Sequence, residues 1–174
     1  KKKSMKIMEM LTEASIEYVK NQVKSGIDCF QLFETYSGII SNEDYKNFIL
    51  PLSTKILIEA RESGVPTIFF PKNFNEGLKY INKEMCDYVS VDYDISLDNA
   101  RNLLDSEVGI QGNMDPKIFY QEIDEIENYL KSLIGFGSKN TDWIFNLGHG
   151  FRPDIDHIKV KYVVEWIKNA NWKR

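Results

Sequence analysis

One loop of this chain carries residue types that could bind a ligand. The segment 146–153 reads NLGHGFRP and directly follows the apolar run 143–145. It places His149, one of only two histidines, between Gly148 and Gly150. Glycine admits backbone conformations closed to other residues and lets a ligand approach closely. We therefore interpret His149 as a ligand-binding side chain on a loop after a buried strand, against the alternative of a histidine held by backbone contacts.

Polar residues also follow four other apolar runs, and these are Thr35, Lys72, Asp92 and Asn113. A hydroxyl such as that of Thr35 can bind a ligand or cap a local turn, and both roles stay open from the residues alone. For Lys72 we favour a salt bridge to a neighbouring acid over attraction of a ligand carboxylate. For Asp92 and Asn113 we favour capping of helices or ordering of the loops.

The composition is that of an ordinary globular domain. The chain has 174 residues, of which 43% are hydrophobic and 28% charged, with a formal net charge of −4. This charge argues mildly against nucleic acid as a partner. No apolar run approaches the roughly 18 residues that a membrane-spanning helix needs, so we expect no membrane partner. The lysines at positions 1–3 precede an amphipathic pattern, so we expect no secretion signal.

The two cysteines, Cys29 and Cys86, are far apart in the sequence. Neither has the Cys-x-x-Cys or His-x-Cys spacing of a metal or redox site. We expect both to be buried structural thiols and predict no metal site.

Helical and extended patterns alternate along the chain. The predicted strands are 27–33, 67–70, 88–91, 108–110 and 143–147. The predicted helices cover about 5–25, 41–64, 76–85, 96–104, 115–135 and 158–167. Ser41 and Ser96 are predicted N-caps, and Pro51 is expected to kink or divide its helix.

Short apolar strands that alternate with helices predict a parallel α/β sheet. Ligand sites of such sheets form at the carboxyl ends of the strands, where the polar residues of this chain collect. A complete eight-stranded barrel usually takes about 250 residues. The 174 residues fit a five-stranded open sheet or most of a barrel, and spacing leaves both open.

Four segments of the chain carry recognisable motifs: NLGHG at 146–150 with Pro153 after it, QGNMDP at 111–116, QLFET at 31–35 and VDY at 91–93. These segments resemble the uroporphyrinogen decarboxylase family. The first is similar to the family's C-terminal signature, the second to its QGNLDP segment, and the other two to two of its strand ends. Each match is weak alone, but together they follow the family's order over nearly the whole chain, which makes the combination specific.

The resemblance implies an α/β fold, a (β/α)8 TIM barrel. Residues 1–174 would be the C-terminal portion of this single domain and supply about its last five βα units. It also implies haem biosynthesis, by decarboxylation of the four acetate side chains of the anionic tetrapyrrole uroporphyrinogen to give coproporphyrinogen without metal or cofactor. Matched residue by residue, Thr35 corresponds to a hydroxyl that binds a substrate carboxylate, and His149 to a substrate-binding histidine. A homodimer in the cytoplasm, or in a plastid-type organelle, is implied as well.

The same resemblance assigns the catalytic aspartate and the substrate-binding arginines to an N-terminal half whose motifs this sequence lacks. Decarboxylation beside a pyrrole needs a proton donor and a counter-charge for the resulting cation. A polyanionic substrate also favours arginine, but only Arg152 of the four arginines lies in a candidate loop, where we favour a surface role. His157, at the start of the last predicted helix, is expected to be solvated. We expect no catalytic residue on this chain and no activity from the chain alone.

Two other functions stay open. A methyltransferase of the same superfamily would need zinc ligands, and the predicted strand at 67–70 offers no His-x-Cys, which disfavours it. A non-catalytic module that binds a tetrapyrrole or another chain fits the missing acid as well as a truncated enzyme does. Pro71, Asn73 and Phe74 depart from the family's small residues, which leaves the shape of that loop open.

Overall fold

The computed structural model describes residues 2–172, which form one parallel sheet with helices. Its strands are β1 (Phe30–Glu34), β2 (Thr67–Pro71), β3 (Tyr88–Ser90), β4 (Gly109–Gln111) and β5 (Trp143–Ile144). They lie in the order β1-β2-β3-β4-β5, and every neighbouring pair is parallel. The prediction of five parallel strands is confirmed. The last strand is shorter than predicted, since Leu147 forms only an isolated bridge with Met114.

The helices lie before, between and after the strands along the chain. The α-helices are α1 (Lys2–Lys24), α2 (Asn42–Asp44), α3 (Leu50–Glu62), α4 (Leu97–Leu103), α5 (Ile123–Ser132), α6 (Ile134–Gly137) and α7 (His157–Asn169). A π-helical turn, Tyr45–Ile49, joins α2 to α3. The 3-10 segments are Ser37–Ile39, Asn75–Tyr80 and Pro116–Tyr120. Within residues 2–172, no helix combines the length and apolar character needed to cross a membrane.

Local capping signals act where they were predicted. The Ser41 hydroxyl accepts a hydrogen bond from the Asp44 amide at 3.1 Å, and Ser96 accepts one from Asn99 at 3.2 Å. Pro51 lies in the first turn of α3, where a residue without an N–H is tolerated, and the π-helical turn comes just before. The long predicted helix is therefore divided near Pro51.

Two predicted helices differ from the structure. A short 3-10 segment replaces most of the helix predicted over 76–85. The segment 115–135 is not one helix, because Gln121 and Glu122 are extended after the 3-10 turn. Glu122 and Glu125 then form a capping box that starts α5 as a new helix.

The two faces of the sheet differ in how they are covered. Successive side chains of a strand point to opposite faces, and one set of alternating positions is buried in the core with the helices: Phe30, Phe69, Val89 and Ile110. On the opposite face, Phe33 is 63% exposed and Ile144 is 38% exposed. In a closed barrel this second face points inward, so the sheet has the architecture of five consecutive βα units of a barrel.

The second face carries polar side chains at its centre. The Gln111 amide donates to the Ser90 hydroxyl at 3.2 Å and to the Gln31 side-chain oxygen at 3.4 Å. Ser90 and Gln111 are both buried. These bonds join side chains from β1, β3 and β4 on the face that would point into the interior of a closed barrel.

The two cysteines have different environments. Cys86 is fully buried, as predicted, and burial raises the pKa of its thiol to about 12. The prediction for Cys29 is wrong, because this residue is exposed. It directly precedes β1, an edge strand that has a neighbour on only one side among the described residues.

Candidate ligand site at the carboxyl ends of the strands

The predicted site residues lie on loops that leave one edge of the sheet. All five strands are parallel, so their carboxyl ends share that edge. Thr35 follows β1 and His149 comes after β5, and both residues are exposed. The structure therefore places Thr35 and His149 on the same rim, at opposite ends of the sheet.

The loop that carries Thr35 is held against the loop after β2. The buried Ser37 hydroxyl donates to the Glu34 carbonyl at 3.1 Å and to the Lys72 carbonyl at 2.5 Å. The Gly38 amide donates to the same Lys72 carbonyl at 3.1 Å. A Cβ atom on Gly38 would lie 2.4 Å from the Cβ atom of Asn73. Glycine at position 38 is thus required for the close approach of these two loops.

Glu34, directly before Thr35, is a site candidate that sequence reasoning did not single out. Burial raises the pKa of its carboxyl group, and a hydrogen bond from the Tyr36 backbone opposes this only in part. Glu34 therefore keeps its proton to a higher pH than an ordinary glutamate does. An acid at the carboxyl end of a strand was the signal that could have identified it.

Asp92 links the loops after β2 and β3. Its side chain is buried, and its Oδ2 accepts a hydrogen bond from the Asn73 amide at 2.7 Å. Its Oδ1 accepts from the Asp94 amide at 3.0 Å. The expectation that Asp92 orders the rim is confirmed.

Asn113 extends these links to the loop after β4. Its buried side-chain amide donates to the Asp92 carbonyl at 2.9 Å and to the Ile95 carbonyl at 2.5 Å. The ordering role expected for Asn113 is thus confirmed. A cis peptide bond joins Gly112 to Asn113.

The loop that carries His149 contacts the loop after β4 and the loop after β3. The Gly148 amide donates to the Met114 carbonyl at 2.9 Å. A Cβ atom on Gly148 would lie 2.4 Å from the Tyr93 nitrogen and 2.8 Å from the Asp92 carbonyl carbon. The Nδ1 atom of His149 lies 3.4 Å from the Gly150 carbonyl oxygen, and the ring remains exposed. Gly148 therefore lets the loop pack on its neighbour while His149 faces solvent.

A hollow of about 240 Å³ lies beside His149. Its lining includes the aromatic rings of Tyr93 and Phe151, the cations Lys117 and Arg152, the acid Asp115, and His149. Aromatic rings beside two cations suit a ligand that has flat rings and carboxylates. Neither Tyr93 nor Lys117 was assigned a ligand from the sequence, because only the packing of the loops after β3, β4 and β5 brings them beside His149.

Arg152 lies at the outer side of the same loop. The Tyr120 hydroxyl donates to Asp154 Oδ1 at 2.7 Å. This hydrogen bond raises the pKa of Tyr120 and lowers that of Asp154, and the charge of Arg152 favours the ionised form of both groups. Arg152 is exposed, and it also lines the hollow beside His149, so its position is compatible with a surface role and with contact to a ligand.

Two further expectations have opposite outcomes. Lys72 makes no salt bridge with the residues that the structure describes, so the expected ion pair with a strand-end acid is wrong; its carbonyl instead joins the first two loops. His157 is solvated as predicted, with 94% of its side chain exposed and Nδ1 3.7 Å from Asp156 Oδ1. Over residues 2–172, no group of three or more metal-ligating side chains is found.

The fold and the rim together define a protein of the βα-barrel class, with a candidate ligand site at the carboxyl ends of its strands. The family model described as "Uroporphyrinogen decarboxylase (URO-D)" matches residues 1–170. The chain belongs to this family, and the barrel expected from the four motifs is confirmed as its fold class.

Several curated relatives carry the name uroporphyrinogen decarboxylase. The protein of Chlorobium luteolum is 34% identical over 172 residues, which cover 96% of this chain and 49% of the relative. Those of Francisella philomiragia and Vesicomyosocius okutanii are 34% and 33% identical and cover 93% and 92% of this chain. These matches cover 48% and 47% of the two relatives. The chain thus spans about half the length of the curated relatives it matches.

Proposed function

We propose that the intact protein removes the four acetate carboxyl groups of uroporphyrinogen to give coproporphyrinogen in haem biosynthesis. We further propose that residues 1–174 form the C-terminal portion of its single barrel domain. The observation that carries this proposal is the rim, where hydrogen-bonded loops present Thr35 and His149 at the two ends of the sheet.

The position of these two residues suits a large ring-shaped substrate. In an eight-stranded barrel, the first and fifth of five consecutive strands are half a turn apart. Thr35 and His149 would therefore face each other across the mouth of the closed barrel. Each could donate a hydrogen bond to a carboxylate on opposite sides of a tetrapyrrole, and the Tyr93–His149 hollow would receive one edge of the ligand.

The chemistry assigns separate tasks to the two halves of the barrel. Protonation of a pyrrole carbon next to the acetate-bearing carbon creates a cation, and the bond to the carboxylate breaks as carbon dioxide leaves and its electron pair neutralises the ring. The carbon that loses carbon dioxide then takes up a proton, and the ring carbon releases the proton that it gained, which restores the pyrrole. A carboxylate near the pyrrole nitrogens would stabilise the cation. That acid and the arginines are expected in the other half, so this chain contributes binding by Thr35 and His149.

Both edges of the sheet can receive further strands. A groove of about 320 Å³ lies beside β1, with Tyr18, Phe30 and Leu32 in its lining. A groove of about 590 Å³ lies beside β5, with Trp143 and Trp172 in its lining. Open edge strands leave backbone N–H and C=O groups without partners. Three more strands would pair with both edges, close the barrel and cover the exposed Phe33 face.

The partner and the compartment follow from the same proposal. The intact protein would form a homodimer whose clefts face each other, and the strongly exposed Tyr36 and Ile39 on the first rim loop support an apolar contact there. We expect it to act in the cytoplasm, with a plastid-type organelle as the alternative. Sedimentation of the intact protein and fractionation of its cells test these two points.

Reconstitution tests the proposed activity. The 174-residue chain, mixed with the separately produced N-terminal half of the Chlorobium luteolum relative, is expected to release carbon dioxide from uroporphyrinogen. The chain alone is expected to release none. Activity of the chain alone would overturn the division of tasks, and an inactive mixture that nevertheless binds uroporphyrin would favour the non-catalytic tetrapyrrole-binding module.

Two variants test the assigned residues. His149→Ala and Thr35→Val are expected to weaken substrate binding by about tenfold each, because each removes one hydrogen bond to a charged group. His157→Ala is the matched control, since His157 is solvated at the start of α7. Equal effects of the two histidine substitutions would contradict the role of His149.

A further inference from the structure

We propose that Asp92 is a positioning residue that sets the loop of Thr35 and the loop of His149 relative to each other. The proposal rests on the proposed function in one respect, the ligand that these two side chains share. The coupling itself depends only on the contacts around Asp92.

The carboxylate of Asp92 binds the loop after β2, which in turn contacts the Thr35 loop. It accepts the Asn73 amide at 2.7 Å from a buried position, and a charged acceptor makes such a bond stronger than a neutral one. Asn73 adopts a left-handed conformation with φ of 60°. This turn brings Asn73 against Gly38, and the adjacent Lys72 carbonyl receives the Ser37 hydroxyl. Asp92 therefore holds the turn on which the Thr35 loop rests.

The main chain of Asp92 contacts the loop after β4 and the His149 loop. Its carbonyl accepts the Asn113 amide at 2.9 Å, and its carbonyl carbon lies under Gly148. A Cβ atom on Gly148 would lie only 2.8 Å from this carbon. Any displacement of Asp92 must therefore move the support of the His149 loop as well.

The side chain of Asp105 accepts the same local hydrogen bond as that of Asp92 but, among the described residues, has no bond to another loop, so it serves as a comparison. Its Oδ1 accepts the Glu107 amide at 2.9 Å, two residues along the chain. Asp92 makes the equivalent bond to Asp94, but its second oxygen reaches another loop, 19 residues away in sequence. The bond to Asn73 is the feature that a local turn does not require. Asp105→Asn is therefore a matched control for Asp92→Asn.

NMR spectra of the 174-residue chain test the coupling without any ligand. In Asp92→Asn one of the two oxygens becomes an NH₂ group and the other loses its charge, so the bonds to the Asn73 and Asp94 amides are each removed or weakened. We expect the ring signals of His149 and the methyl signal of Thr35 to shift together, while those of His157 stay in place as an internal reference. Amide exchange at Asn73 is expected to become about tenfold faster or more, because a hydrogen bond to a charged group contributes at least that factor to local opening. Exchange at Gly38 is expected to become faster as well, since its amide bonds to the Lys72 carbonyl of the same turn. Asp105→Asn is expected to leave all of these signals unchanged.

A shift at only one of the two site residues, or at neither, would overturn the coupling. Ser37→Ala provides a second route if Asp92→Asn does not fold, since it removes a bond between the first two loops and leaves Asp92 intact. We expect its effect to reach the ring of His149 through Asp92, and an unchanged ring would refute the proposal. The reconstituted mixture separates the two hypotheses: no release of carbon dioxide from uroporphyrinogen by the unsubstituted chain with the N-terminal half would argue against the proposed function, whereas coupled shifts would still establish the role of Asp92.

Discussion

Replacement of Gly148 by alanine is expected to destabilise the chain and displace the His149 loop. The added Cβ atom would lie 2.4 Å from the Tyr93 nitrogen and 2.8 Å from the Asp92 carbonyl carbon, and real Cβ contacts essentially never fall below 3.0 Å. Both neighbours are backbone atoms, so no side chain can rotate away and a loop must shift. Overpacking of this kind costs about 1–3 kcal/mol.

Urea unfolding measures this cost. For a small domain the free energy of unfolding falls by about 1–3 kcal/mol per molar urea, so a loss near 2 kcal/mol lowers the midpoint by roughly 1 M. Gly150→Ala is the matched control, since a Cβ atom there would have nothing within 4 Å. We expect the control to change the unfolding free energy by less than about 0.5 kcal/mol. A Gly148→Ala chain as stable as the original, or equal losses in the two variants, would refute the close approach of the two loops.

Two further predictions concern Asp87, at the amino end of β3, and the two thiols. Burial alone would raise the pKa of Asp87, but hydrogen bonds from Lys83 and Thr67 outweigh it and hold the pKa below 3.8. The stability from Asp87 is therefore complete above about pH 4 and is lost as the pH falls through the lowered pKa. Asp87→Asn is expected to cost about 1–3 kcal/mol at neutral pH and less at pH 3, which is below the pKa of an aspartate in the unfolded chain, as measured by urea unfolding at both pH values; equal losses would contradict this. With a thiol-specific reagent, exposed Cys29 is expected to react in the folded chain and buried Cys86 only on unfolding, so equal rates would contradict their different burial.

The strands and the helix caps could be predicted because their causes are local. Ser41 and Ser96 bond to amides three residues along the chain, and this chemistry is visible in the sequence. The prediction of one helix over 115–135 was wrong because this apolar pattern contains two capping sites, each of which starts its own helical segment. Asp115 caps a 3-10 turn, and Glu122 then starts a second helix.

The environment of Cys29 shows the limit of this reasoning. Its neighbour Phe30 is buried, and the apolar run predicted the same for Cys29. Burial at the edge of a sheet depends on a neighbouring strand, and no pattern within the run reports whether that strand is present. The expected salt bridge of Lys72 failed for a related reason, since the position of a partner acid is a property of the packed loops.

The sequence by itself determined which chemical groups follow each strand, and the four motifs indicated the family to which the chain belongs. Only the tertiary structure decided how these groups act on each other. The Asn73 bond to Asp92 and the contact of Gly148 with Tyr93 join residues that are far apart in sequence. Asn73 meets Asp92 because the adjacent parallel strands β2 and β3 bring their carboxyl ends within about 5 Å of each other. Gly148 reaches Tyr93 past β4, which lies between β3 and β5, so strand order and loop path together decide which loops become neighbours. The histidine loop is therefore recognisable from its residues, whereas its support by Asp92 is a consequence of the folded sheet.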